Sequence, residues 1–266
     1  MLLLALAACG TARHRPTAHA TASQAFAELP HIPDFASRPY EPFNRAAAVA
    51  IALREWRVFG QPVDDDPPDT RPPPQPQDKP ERQEALWQRV GEYWYLGQDA
   101  DRPEAEWTGM HNQHGDEFPA DEDSSYAWSA AFISYVMRSA GAANRFPYSP
   151  AHHTYIDLAR TNAGAWAVTA LPPEAYAPVV GDLICLARTK RRLRYADLPA
   201  GDFAAHCDIV VGVAPGMLSV LGGNVDDAVT MKHVPTTAAG MLAEPDGTVV
   251  DSRYPWLTVL RVAYAR

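Results

Sequence analysis

Residues 126–141 read Y-A-W-S-A-A-F-I-S-Y-V-M-R-S-A-G. Phe132, Ile133, Val136, Met137 and Ala140 recur at the spacing of one helical face. Gly141 ends the run, since glycine takes the left-handed conformation without steric cost. Asp121, Glu122, Asp123, Ser124 and Ser125 precede it, as the positive end of a helix dipole favours. The stretch predicts a buried helix entered through a sharp turn, with Ser129 in its first turn. A hydroxyl there sits beside N–H groups without intrahelical partners, a favourable place for developing negative charge. Taken alone, the pattern also fits a core helix whose Ser129 only caps.

Working outward to the N-terminal side, residues 98–123 read as a polar loop carrying Trp107, His111 and His114. Before it, Leu86, Val90, Tyr93 and Trp94 predict a helix over 81–96, closed by Gly97. Residues 61–80 hold so many prolines that no regular element fits, and they read as an extended, solvated insertion. An apolar stripe from Ala46 to Val58 predicts a further helix over 41–59. Residues 10–40, rich in Ala, Thr, Pro and His, read as a flexible tether. The chain begins M-L-L-L-A-L-A-A-C-G. That run is too short to span a bilayer and resembles the end of a bacterial lipoprotein signal, with Leu6-Ala7-Ala8-Cys9 as lipobox. It implies acylation of Cys9 and a membrane-anchored protein facing the periplasm. No Lys or Arg precedes the run, so the basic region such signals carry would lie upstream.

On the C-terminal side a helix is predicted over 150–162. The periodicity then changes to that of strands, at 182–187, 206–213, 218–221, 229–234 and 256–264. Helices first and an antiparallel sheet of about five strands last make the class α+β, in a single domain over 41–266. Length allows one sizeable core: the chain has 266 residues, 47% of them apolar. A formal charge of −9 argues against a nucleic-acid partner. Of the three cysteines, strand alternation turns Cys207 to the face opposite His206, and Cys185 lies on an apolar strand. Buried thiols are the first reading for both, with a Cys185–Cys207 disulfide as the second.

The order Ser129 on a helix, Gly181-Asp182 before a strand, His206 opening the next, and Gly222-Gly223-Asn224 resembles the papain-like NlpC and CHAP amidases and peptidases of bacterial cell walls. More closely, E-W at 55–56, Y-W at 93–94, W-S-A-A-F-I-S at 128–134, H-x-x-Y at 152–155 and G-G-N at 222–224 resemble bacterial domain-of-unknown-function family 2272. The resemblance implies a papain-like fold and a peptidoglycan amide as substrate, handled by a monomer without cofactor. By motif, Ser129 stands where those enzymes carry Cys, His206 is the base and Asn224 its orienter. A serine is far less acidic than a thiol and needs its proton removed as it attacks. Asp208, two residues from His206 on one strand face, is the carboxylate available to back that base. Tyr126, Trp128, His152 and Trp107 are candidate substrate contacts.

Two other chemistries stay open. Glycan strands are cut by carboxyl groups, with Asp208, Asp182, Glu117 and Asp123 as candidates for a transglycosylase- or muramidase-like reaction. A non-catalytic peptidoglycan-binding module is the third reading. Lys190-Arg191-Arg192-Leu193-Arg194 reads as a solvated hairpin tip. His111 and His114 lack the further ligands a metal site needs, so no metal is expected.

Overall fold

The computed structural model describes residues 42–68, 70, 72, 74–161, 166–190 and 192–265. The expectations for Cys9 and for the 10–40 tether lie outside these residues. Helix α1, Arg45–Val58, starts at Asn44, whose side chain accepts the Ala47 N–H at 3.2 Å. Helix α2, Leu86–Gly97, buries Val90, Tyr93, Trp94 and Gly97. Helix α3, Ser129–Ser139, buries every residue from Ser129 to Met137. Helix α4 spans His152–Thr161. Gly97 lets α2 and α3 touch, since a Cβ there would lie 2.6 Å from the Ala131 carbonyl oxygen.

The strands are β1 (Val168–Leu171), β2 (Leu183–Ala187), β3 (Ala205–Ala214), β4 (Met217–Val225), β5 (Ala228–Pro235) and β6 (Trp256–Val262). They form one antiparallel sheet in the order β1-β6-β2-β3-β4-β5. The class is α+β, with six strands among the described residues where about five were expected. α3 packs on α1 and α2 on one side and on β3 and β4 on the other. The other sheet face carries its own apolar cluster, with Ile184, Leu186, Val210, Val220 and Trp256 under Leu242. Burial on both faces explains why β2 reads as an unbroken apolar run, L-I-C-L-A.

Cys185 and Cys207 are register partners on β2 and β3, fully buried and joined as a disulfide. The expectation of free thiols is thereby corrected: antiparallel pairing sets the two side chains face to face. The described residues of 61–80 include the 3-10 turn Pro76–Asp78 and are not simply solvated. Val63 bridges Met231 in parallel, with the Asp64 N–H donating to the Met231 carbonyl and the Met231 N–H to that of Pro62. Asp65 accepts from the His233 N–H at 2.7 Å. The helix expected from Glu81 begins at Leu86 instead. Glu81 lies in the 3-10 turn Pro80–Arg82, and Ala85, at φ 71°, separates the two. Among the described residues no helix is long and apolar enough to cross a membrane.

Candidate active site

Trp128 precedes α3 without a side-chain cap, so Ser129 is the first helical residue and its hydroxyl is free for another partner. That partner is His152. Its Nε2 lies 2.7 Å from Ser129 Oγ, and its Nδ1 is hydrogen-bonded to the Tyr155 hydroxyl one helical turn on. Ser129 therefore does not act as a cap. The H-x-x-Y spacing puts His152 and Tyr155 on one face of α4, so the helix itself presents the imidazole to serine. His152 was expected to line the substrate groove; the structure makes it the serine's partner.

The expected Ser129–His206 pair is not formed. His206 and Asp208 are register partners of Leu186 and Ile184, which belong to the cluster on the sheet face away from the helices. Cys207 and Ile209, between and beyond them, join the helix-facing core. Strand alternation thus turns the His206 side chain from the core that Ser129 opens onto. Its ring is still close to His152, with centroids 5.3 Å apart. His206 Nε2 bonds Asp208 Oδ1 at 2.9 Å, and Asp208 Oδ2 faces Lys232 Nζ at 2.7 Å. Gly222 is required here: a Cβ would collide with Asp208 Oδ1 and lie 2.8 Å from His206 Nε2. Gly223 likewise lies against Phe132 and Trp128.

Asn224, expected to orient His206, points elsewhere. It occupies the left-handed region at φ 55°, and its Nδ2 donates to Glu81 Oε2 at 3.0 Å. Trp128 Nε1 donates to the same oxygen at 2.5 Å, so this buried indole is a partner of Glu81. Trp107 and Tyr126 are half-buried and meet edge to face, as Trp107 also does with Trp94, while Tyr126 stacks on Phe118. These rings pack on one another.

Electrostatics separate these groups. Burial, then the neighbouring His206, hold the His152 imidazole well below its ordinary value, so it is neutral at pH 7. Burial lowers His206 as well, with Asp208 opposing. Burial would raise Asp208, yet the charges of Lys232 and His206 outweigh it and hold the carboxyl well below the ordinary carboxylate range. Asp182 accepts from the Val179 and Val262 N–H groups and from Tyr176, so it ties β2 to β6. Glu117 is exposed and paired with Arg82. Asp123 is held by Lys79 and Arg82. These four candidate carboxyls thus have structural partners. Glu81, which sequence reading left in a helix start, is different: burial, and then Asp227, raise it to about 8, so it holds a proton at neutral pH. Among the described residues no group of three or more His, Cys, Asp or Glu is placed to hold a metal.

Residues 81–262 match the model of DUF2272, described as an uncharacterized protein conserved in bacteria. No curated protein and no solved structure matches the chain. The match spans well over half of the chain and includes Glu81, Ser129, His152, His206 and Asn224, and the chain belongs to this family.

Proposed function

We propose that this member of DUF2272 is a cell-envelope hydrolase of papain-like arrangement that cuts an amide bond of peptidoglycan. Ser129 is its nucleophile and His152 its base. The observation that supports it is the 2.7 Å contact between Ser129 Oγ and His152 Nε2 at the N-terminus of α3, within the reach of a nucleophile–base pair. His152 Nε2 takes the hydroxyl proton as Oγ bonds the amide carbon. The oxyanion forms beside first-turn N–H groups that a helix leaves unpaired. The imidazolium then gives its proton to the departing nitrogen as the C–N bond breaks. Water, deprotonated by His152, releases the acyl group and restores the serine. Tyr155 holds the ring in position through Nδ1. It is a phenol, raised well above its ordinary value by burial and then by Asp208, so it cannot neutralise the imidazolium as a carboxylate would. In this reading Cys9 carries the lipid that holds the enzyme at the membrane, facing the periplasm.

Purified protein incubated with sacculi, followed by mass spectrometry of the fragments, tests the reading. Peptide-cleaved products are expected from the wild type and are lost, by ~10²-fold or more, in both Ser129→Ala and His152→Ala. Intact stem peptides and linkages from the wild type would overturn it.

A further inference from the structure

The corner that holds His152 and His206 is short of negative charge. Asp208 Oδ1 lies 2.9 Å from His206 Nε2 and Oδ2 lies 2.7 Å from Lys232 Nζ, so one carboxylate already serves two groups. His153 has Asp202 at 3.6 Å. Beside this corner stands Arg188. Its N–H donates to the Ala204 carbonyl at 2.7 Å, which carries the β2–β3 ladder one rung past Ala187 and Ala205. Leu186 is the register partner of His206. Arg188, two residues on and on the same strand face, is therefore the diagonal neighbour of His206. Such neighbours are ~7–8 Å apart, within reach of a long side chain. The ring of His206 in turn lies 5.3 Å, centroid to centroid, from that of His152. Burial comes first in holding both imidazoles below their ordinary values, and the Arg188 charge adds to it at each. Arg188 is nevertheless exposed, and among the described residues its guanidinium has no hydrogen-bond or ion-pair partner. Lys190, Arg192 and Arg194, further along the loop that Arg188 opens, are exposed too. The formal charge of the chain is −9, so this loop has the opposite sign to the molecule that carries it.

We propose that Arg188 is a specificity-determining residue of the serine site: it binds a free carboxylate that the substrate carries close to the scissile amide. A guanidinium presents paired N–H donors that match the two oxygens of a carboxylate. The substrate class is therefore an acidic peptide, and a neutral amide of the same shape is discriminated against. The bound peptide brings the negative charge that the corner lacks. The inference rests on the preceding reading for the choice of peptide and of bond.

The test separates binding from cleavage. Muropeptides are prepared with their carboxyl groups free or converted to carboxamides. Calorimetric titration into full-length Ser129→Ala should show about tenfold tighter binding of the acids. The difference should shrink in ~1 M salt, where exposed charges are screened. Adding Arg188→Gln should abolish the preference, and Arg188→Lys, which keeps the charge and loses the fork, should give an intermediate one. An unchanged melting temperature verifies that both variants fold. With Ser129 intact, Arg188→Gln should lower kcat/KM more for the acids than for the carboxamides. No binding of either form, equal binding of the two, or an acid preference that survives Arg188→Gln would overturn the inference, whether or not the wild type cleaves. An acid preference that depends on Arg188, without peptide cleavage by the wild type, would leave this subsite standing and overturn the amidase reading alone.

Discussion

A base must be unprotonated to take a proton, and burial keeps His152 in that state below the ordinary histidine range. Amide cleavage should therefore persist at full rate into mildly acidic solution, with its acid limb displaced below the ordinary histidine value of 6.5; a pH–rate profile of kcat/KM on a muropeptide checks this. Gly222 is the second residue-scale constraint. Gly222→Ala drives a methyl group into Asp208 Oδ1, and the strand must shift. A loss of ~1–3 kcal/mol is expected from denaturant titration, along with a weakened His206–Asp208 contact. Sequence reading found Ser129 and His152 but paired the serine with the wrong imidazole. It took the strand histidine for the serine's partner, and only the hydrogen bonds show that Ser129 meets His152 while His206 meets Asp208. Glu81 was invisible because an acid at a helix start is unremarkable; its isolation comes from Trp128 and Asn224, 47 and 143 residues away.

Among the elements, β3 and β5 are joined across the intervening β4 by a buried ion pair, Asp208 with Lys232, which are 0% and 2% exposed at the side chain. Asp208→Asn leaves the ammonium buried without its charge partner and should cost ~3–5 kcal/mol. Adding Lys232→Met should recover much of that loss, and a double-mutant cycle in urea measures the coupling. The Cys185–Cys207 link closes a loop with a sequence separation of 22. Replacing both cysteines by Ala is expected to remove ~3 kcal/mol. Periodicity located the four helices of the described residues and strands β2 to β6. It missed β1, four residues at the sheet edge that alternate between buried and half-buried and pair only with β6. It also started α2 too early, since an apolar pattern cannot report the left-handed turn at Ala85.

For the whole molecule, two opposing proton linkages set the pH range of stability. His152 and His206 have lowered folded values, so the unfolded chain binds more protons and stability falls as pH drops below 6.5. Glu81 is raised from 4.5 to about 8, so the folded chain holds more protons and stability falls as pH rises between those values. For these groups the maximum lies near neutrality. Glu81→Gln should remove the alkaline slope, worth on the order of a few kcal/mol, and calorimetry at about pH 6.5 and about pH 9, on either side of the raised Glu81 value, checks it. The docking of residues 62–65 on β5 has a further bearing. In the outer strand of a sheet, outward N–H and C=O groups are a template on which another chain can add. Here Pro62 and Asp64 occupy the Met231 pair, Asp65 takes the His233 amide, and Pro235 has no N–H to offer. The proline-rich excursion thus begins with a short guard rail against edge-to-edge aggregation.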